Sequence, residues 1–205
     1  MFDLAEKNTI ITGGGSGIGK AIAMLFAKQG AIIHIIELNA EAGEQTASEI
    51  ENAGGKAFVY SADVSNQQQI LETFMKLDKI DILINNAGIA HIGRADTTEE
   101  ADFERVFNIN VKGAYNCLYA AIPNMKANGG GVILNLASIA AWVGLADRFA
   151  YSMSKGAIFA MTLSVARDYL EDQIRCNSIS PARIHTRFVT GCDYPLDGGF
   201  IKLNN

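Results

Sequence analysis

A glycine-rich turn between an apolar run and an amphipathic segment constrains the fold of this chain more than any other feature. The run Thr9-Ile10-Ile11 is typical of a short buried strand, and the turn after it carries glycine at positions 13, 17 and 19. Apolar residues then recur at the spacing of one helix face, at Ile18, Ala21, Ile22, Leu25 and Phe26. Gly30 stands where the C-terminus of that helix is expected. The sequence therefore predicts a strand, a glycine turn and a helix over residues 9–30.

The start of this helix is a candidate phosphate-binding site. A helix N-terminus presents backbone N–H groups without intrahelical partners and a partial positive charge, and both favour an anion. Glycine lets the backbone approach such a ligand because it has no Cβ atom. The spacing differs from the common G-x-G-x-x-G, and by itself the turn is equally consistent with an ordinary tight turn. The candidate contacts are Gly13, Ser16, Gly17, Ile18 and Gly19.

Strand-like and helix-like segments alternate along the rest of the chain. Further strands are predicted at 31–36, 57–61, 81–84, 132–136 and 174–179, with helices at 40–52, 66–76, 97–126 (kinked near Asn110) and 151–170. This alternation predicts an α/β fold, a Rossmann-type doubly wound parallel sheet with helices on both faces, in a single domain over residues 1–205. Ligands of such sheets bind at the carboxyl ends of the strands, where Gly13–Gly19, Asn85–Gly88 and Ser138 fall.

The composition disfavours several classes of partner. The 205 residues are 49% hydrophobic with a formal net charge of −5, which suits one globular domain and argues against nucleic acid as a partner. No apolar run approaches the ~20 residues of a membrane span, and the N-terminus has no signal-peptide pattern. The three cysteines form no C-x-x-C pair and the three histidines are scattered. We therefore expect a reduced, cytoplasmic protein without a metal site.

Glu37 predicts the choice of dinucleotide. It ends the second strand, about twenty residues after the glycine turn, where an acidic side chain accepts hydrogen bonds from an adenosine ribose 2′-OH. It would repel a 2′-phosphate, because two like charges ~4 Å apart cost roughly 4 kcal/mol near a protein surface. Ser16 and Leu38 supply no cation, so we expect NAD(H) rather than NADP(H); an ordinary surface carboxylate is the alternative for Glu37. Asp63, after the third strand, either accepts a hydrogen bond from the adenine amino group or caps the next helix.

A hydroxyl, a phenol and an amine follow one another at a spacing that predicts proton transfer. Tyr151 and Lys155 share a helix face, and Ser138 lies just past the fifth strand. The ordinary tyrosine pKa of about 10 is too high for a base at neutral pH. The Lys155 ammonium favours the phenolate, and bringing the pKa of Tyr151 near ~7 requires roughly 4 kcal/mol. We expect Tyr151 to exchange the proton and Ser138 to orient the substrate oxygen.

Together, the motifs Thr12–Gly19, Asn85–Gly88, Ser138 and Tyr151-x-x-x-Lys155 resemble, in this order, the short-chain dehydrogenase/reductase family. The resemblance runs from the first residues to about Thr186 and resumes at Phe188–Gly199. It implies an oxidoreductase whose cofactor carries the hydride, with Asn110, Ser138, Tyr151 and Lys155 as catalytic residues. In this family the residue at Asn110 holds a water that links the lysine to solvent. The implied cofactor contacts also include Val64, Asn86, Ala87, Gly88, Pro181, Ile184 and Thr186, the last two at the nicotinamide carboxamide.

The chain departs from the family pattern in two places. Pro181-Ala182 stands where the family has Pro-Gly, which strains the alanine if the position needs a positive φ. Between Thr186 and Phe188, relatives carry several tens of residues that form a flexible substrate-covering loop and a helix. We expect the natural protein to carry this segment near 186–188; a genuine deletion is the alternative, and it would leave weak or no activity.

The resemblance also narrows the chemical class of the expected substrate. Arg148, three residues before Tyr151, is a candidate for pairing with a substrate carboxylate or for a salt bridge at a subunit contact. Its surroundings are similar to members that oxidise hydroxy acids and 2-keto-3-deoxy sugar acids. The alternatives are a 3-oxoacyl-carrier-protein reductase and a non-catalytic NAD-binding regulator. Small residues along the helix after Tyr151 favour close helix packing, and we expect a homotetramer.

Overall fold

The computed structural model describes residues 3–182, and their strands form one parallel sheet. Its strands are β1 (Asn8–Thr12), β2 (Ile32–Glu37), β3 (Lys56–Ser61), β4 (Ile82–Asn85), β5 (Gly131–Leu136) and β6 (Ile174–Ile179). All neighbouring strands are parallel, in the order β3-β2-β1-β4-β5-β6. The predicted Rossmann-type, doubly wound sheet is confirmed.

Six α-helices connect these strands within the described range. They are α1 (Gly17–Lys28), α2 (Ala40–Asn52), α3 (Gln67–Phe74), α4 (Glu100–Phe107), α5 (Gly113–Ala127) and α6 (Phe149–Asp168). The helix predicted over 97–126 is interrupted by a π-helical turn, Asn108–Lys112, between α4 and α5. The kink expected near Asn110 is this turn, a feature common at functional sites.

Successive residues of the central strands pack on opposite faces of the sheet. Ile10 of β1 and Leu83 of β4 lie in the core shared with α3, α5 and α6, and Ile11 and Ile84 lie in the core shared with α1 and α2. All four side chains are at most 1% exposed. Because both faces are covered, the strands are continuous apolar runs rather than alternating patterns.

The remaining expectations concern membrane crossing, the cysteines and the end of the chain. Within residues 3–182, no helix combines the length and apolarity needed to cross a bilayer. Cys117 and Cys176 are buried free thiols, as expected for packing cysteines. Cys192, Ile184 and Thr186 lie outside the described residues, as does the place near 186–188 where the substrate-covering segment is expected.

Candidate active site

A cleft of about 530 Å³ runs along the carboxyl ends of all six strands. Each strand is followed or ended by lining residues: Gly13 for β1, Glu37 for β2, Asp63 for β3, Asn86 for β4, Ser138 for β5 and Pro181 for β6. With a spacing of ~4.8 Å between strands, six strands span about 24 Å, which suits an elongated ligand. The order of connections reverses between β1 and β4, the place where open α/β sheets bind their ligands.

The glycine turn crosses the middle of this cleft. Gly13 has a φ of +68° and Gly17 a φ of +54°, a region that side chains rarely tolerate. A Cβ atom on Gly19 would overlap the carbonyl oxygen of Gly13 and come within 2.5 Å of Asn86 Nδ2. Gly13 and Gly17 line the cleft, whereas Gly19 lets α1 pack closely behind the turn.

Hydrogen bonds between Thr12 and Asn86 join this turn to the end of β4. Asn86 Nδ2 donates to the carbonyl oxygens of Thr12 and Gly13, at 2.9 and 3.1 Å. Thr12 Oγ1 accepts from the backbone N–H groups of Asn86 and Ala87, both at 3.0 Å. Sequence reasoning missed Thr12; its signal is a polar side chain ending an apolar strand, where burial demands a hydrogen-bond partner.

The N-terminus of α1 faces the cleft with free backbone donors. Within the described residues, Ser16 makes no side-chain cap hydrogen bond and the first turn of α1 has no acidic residue. The starts of α2 and α3 differ, because Asn39 and Asn66 accept from the N–H groups of Ala42 and Gln69. Ser16, Gly17 and Ile18 line the cleft. Uncapped donors beside glycines without obstructing Cβ atoms fit the diphosphate of a dinucleotide.

Two carboxylates line the cleft at its β2–β3 end. Glu37 is held by two backbone donors: Oε2 accepts from Gly15 at 3.1 Å and Oε1 from Asn39 at 3.2 Å. Asp63 Oδ1 accepts from the N–H and the hydroxyl of Ser65, both at 2.8 Å. The alternative role of Asp63 as a helix cap is wrong, because Asn66 caps α3. Val64, Ala87 and Gly88 also line the cleft.

Tyr151 and Lys155 line the opposite end of the cleft from the first half of α6. Lys155 Nζ donates to the carbonyl oxygen of Leu136 at 2.7 Å and lies 5.8 Å from the centroid of the Tyr151 ring. Lys155 is 6% exposed, and this burial lowers its pKa to about 8. No carboxylate in residues 3–182 forms an ion pair with it. The phenol and the amine are therefore neighbours at this end of the cleft, with the amine buried and the phenol half-buried.

Ser138 and Asn110 take different positions around this pair. Ser138 Oγ accepts from the N–H of Ala140 at 3.1 Å, which leaves its hydrogen free for a ligand in the cleft. Asn110 does not line the cleft. Its Oδ1 accepts from Ile89 N at 2.8 Å, and its Nδ2 donates to Ile89 O and Ser154 Oγ, each at 2.9 Å. Asn110 thus holds the segment after β4 against α6.

Arg148 does not line the cleft, and Ala182 has an unstrained backbone. Arg148 is absent from the residues that line the cleft in the described part of the chain, and its Nη1 donates to the carbonyl oxygen of Asp147 at 2.8 Å. Within residues 3–182, the non-glycine residues with positive φ are Glu6, Asp147 and Gln173. Ala182 is not among them, so the strain considered for Pro181-Ala182 does not arise.

Comparisons with known proteins agree with this geometry. A family model described as short chain dehydrogenase matches residues 7–193. An uncharacterized oxidoreductase of Thermotoga maritima is 40% identical over 177 residues, which cover 85% of this chain and 70% of that protein. The 7alpha-hydroxysteroid dehydrogenase of Escherichia coli is 39% identical over 187 residues, covering 89% and 73%.

Solved structures give the same picture. A crystal structure of NAD+-bound xylitol dehydrogenase superposes with a TM-score of 0.89 at 34% identity, covering 91% of this chain and 74% of that one. A 7 alpha-hydroxysteroid dehydrogenase complexed with NADH and 7-oxo glycochenodeoxycholic acid gives a TM-score of 0.86 at 37% identity, covering 91% and 76%.

Proposed function

Because the chain belongs to the short-chain dehydrogenase/reductase family of oxidoreductases, which act on alcohols and ketones, we propose that it is an NAD-dependent member acting on a hydroxy or keto acid. The observation that carries this proposal is the presence of Ser138, Tyr151 and Lys155 at one end of the cleft, with Glu37 at the other. When bound, the nicotinamide supplies the site that accepts or returns the hydride.

Tyr151 is the proposed acid and base. In the oxidation direction its phenolate takes the proton of the substrate hydroxyl, and in reduction its phenol returns the proton. The Lys155 ammonium stabilises the phenolate, and a pKa of about 8 keeps Lys155 mostly charged at neutral pH. Ser138 donates its free hydrogen to the substrate oxygen. Asn110, in the π-helical turn, is proposed to hold a water that links Lys155 to solvent.

NAD rather than NADP is the proposed cofactor. Glu37 ends β2 with its carboxylate fixed by Gly15 and Asn39, so it has little freedom to move away from a 2′-phosphate. Gly13, Gly17 and Ile18 are the proposed diphosphate contacts, and Pro181, Ile184 and Thr186 the contacts near the carboxamide. Comparing kcat/KM for NAD and NADP tests the preference, and higher efficiency with NADP would refute it.

The acid specificity rests on Arg148. Arg148 pairs with Gly93 in an isolated parallel bridge and directly precedes α6. We expect Arg148→Ala to raise KM for an acidic substrate far more than for a neutral alcohol. Arg167→Ala, an exposed arginine in the last turn of the same helix, is the matched control. Equal effects of Arg148→Ala on both substrates would argue for a role at a subunit contact instead.

A homotetramer in the cytoplasm is the proposed state of the protein. Tyr115 and Tyr119 on α5 and Met153 and Leu163 on α6 are exposed apolar side chains, between 44% and 57% accessible. Apolar surface of this kind is typical of interfaces. A monomeric mass by light scattering would refute the tetramer.

The proposal that a segment is missing near 186–188 predicts an intact mass of the natural protein above 22.0 kDa.

Two other functions remain as alternatives to this proposal. A 3-oxoacyl-carrier-protein reductase would use NADPH and a basic docking surface, against which Glu37 and the net charge of −5 argue. A non-catalytic NAD-binding regulator would bind the dinucleotide without turnover. A spectrophotometric screen for NADH formation across sugar acids, hydroxy acids and polyols separates the proposed enzyme from both alternatives.

A further inference from the structure

The loop between β3 and α3, residues 62–65, forms one wall of the cleft. Ala62, Asp63 and Val64 line the cleft at the end where Glu37 lies. Ala62 is 5% and Val64 8% exposed, so their side chains are largely buried behind the surface that a ligand would touch. The position of this wall therefore depends on what holds the loop from behind.

Two helices hold the backbone of this loop through amide side chains. Asp63 N donates to Gln69 Oε1, in α3, at 2.9 Å. Val64 O accepts from Asn116 Nδ2, in α5, at 2.8 Å. Gln69 is exposed to solvent, whereas Asn116 is 0% exposed. The bond from Asn116 is thus the one that water cannot easily replace.

Hydrogen bonding determines which way the Asn116 amide points. A carbonyl oxygen only accepts, so the atom that contacts Val64 O is the Nδ2 donor. The Oδ1 atom of Asn116 then accepts from Gln67 Nε2, at the start of α3, at 3.3 Å. A side chain from α3 therefore orients the amide in α5 that holds the loop.

Gly113 fits α5 against the same loop. It lies three residues before Asn116, so the two positions share one face of the helix. A Cβ atom on Gly113 would come within 2.7 Å of Val64 Cγ2. The helix therefore meets Val64 twice, at its side chain by close packing and at its carbonyl oxygen by the bond from Asn116.

We propose that Asn116 is a positioning residue for the adenosine end of the cofactor site, because it holds residues 62–65 in the arrangement that receives the adenine ring. The inference rests on the proposed function. Asn116 is not among the described residues that line the cleft, so it acts on a ligand only through the loop. A wall that is already ordered costs no ordering entropy when the ligand binds, and this preorganisation raises affinity.

Asn116→Leu tests the proposal because it keeps the approximate volume and removes the donor. Val64 O then lacks its buried partner, and we expect the loop to move until water reaches this oxygen. If moved forms make up roughly 80–90% of the molecules, the Kd of a ligand at this end rises roughly five- to tenfold, or by about 1–1.4 kcal/mol.

The pattern of effects separates positioning from a general loss of structure. NAD and ADP-ribose share the adenosine diphosphate half, so calorimetry should show the same factor of lost affinity for both. The kcat at saturating NAD should stay near the wild-type value, because Tyr151 and Lys155 lie at the other end of the cleft. A merely structural role would lower the melting temperature and leave both affinities in place, which would overturn the proposal.

Asn124→Leu is the matched control on the same helix. Asn124 Oδ1 accepts from Ile80 N at 2.9 Å, and its Nδ2 donates to the carbonyl oxygens of Leu77 and Asp78, which precede β4 at the opposite edge of the sheet from the cleft. Both variants should melt below the wild type, but only Asn116→Leu should bind ADP-ribose more weakly. An equal loss of affinity in Asn124→Leu would contradict the assignment.

Gln67→Met tests the outer link of the same chain of hydrogen bonds. It removes Nε2, keeps an unbranched side chain of similar length, and leaves Asn116 bonded to Val64 alone. We expect ADP-ribose to bind roughly two- to threefold more weakly. Because Gln67 acts through Asn116, the double variant should bind no more weakly than Asn116→Leu. Additive losses would show that the two side chains act separately and would overturn this link.

A crystal structure of Asn116→Leu without ligand examines the loop independently of any binding assay. Displacement of residues 62–65, with Val64 O in contact with water, supports the proposal, and an unmoved loop overturns it. The proposed function fails in a different measurement. If the wild-type protein binds neither NAD nor ADP-ribose, the cofactor assignment is wrong, whereas failure of this inference appears only when the variant is compared with the wild type.

Discussion

Replacing Thr12 with valine should destabilise the fold through the turn that crosses the cleft. Valine keeps the shape of threonine and removes Oγ1, which accepts from the N–H groups of Asn86 and Ala87 at 3.0 Å. Thr12 is 2% exposed, so no water replaces the hydroxyl directly. Each buried donor left without a partner costs about 1–3 kcal/mol, and these two are only partly buried, so we expect about 2–3 kcal/mol in total.

This loss is large enough to measure. For a chain of this size each kcal/mol lowers the melting temperature by roughly 2–4 °C, so Thr12→Val should melt about 4–12 °C below the wild type. Urea unfolding should show a lower midpoint with an unchanged slope. Thr12→Ser keeps the acceptor and should recover most of the loss. A Thr12→Val protein as stable as the wild type, or a serine variant no better than valine, would refute the role given to this hydroxyl.

Three further changes probe other parts of the structure. Gly19→Ala should abolish NADH binding in calorimetry, because its Cβ overlaps Gly13 O and forces the turn to move; unchanged affinity would contradict this. Glu37→Gln should narrow the preference for NAD over NADP by roughly tenfold or more, and an unchanged kcat/KM ratio would count against the charge argument. Burial, aided by the charge of Lys56, lowers the pKa of His34 to about 4 from 6.5. Its contribution to stability is therefore present above pH 6.5 and lost as the pH falls toward 4; urea midpoints of His34→Gln should depend less on pH over this range.

The sheet and its order of elements could be predicted because their causes are local. Apolar runs of strand length, helix-period segments and glycines at the turns specify each element without knowledge of its neighbours. The spacing of Tyr151 and Lys155 likewise predicts a shared helix face, and both side chains line the cleft. The kink near Asn110 followed from a polar residue inside an apolar helix, although its π-helical form did not.

Contacts between distant segments could not be predicted. Lys155 is held by the carbonyl oxygen of Leu136, a backbone atom that carries no sequence signal. The role of the Thr12 side chain depends on the backbone N–H groups of Asn86 and Ala87, just after β4, so it could not be read from the motif Thr12–Gly19 alone. Arg148 lies close to Tyr151 in sequence, yet it is not among the described residues lining the cleft, because a helix N-terminus turns neighbouring side chains in different directions.

The central claim is that Tyr151 exchanges a proton with an alcohol whose hydride passes to NAD. The direct measurement is the rate of NADH formation by wild type and Tyr151→Phe across sugar acids, hydroxy acids and polyols, with NADH affinity measured in parallel. We predict turnover of at least one acid by the wild type, a loss of kcat of about 10²–10⁴-fold in the variant, and unchanged NADH affinity. A Tyr151→Phe protein that turns over as fast as the wild type would contradict the account.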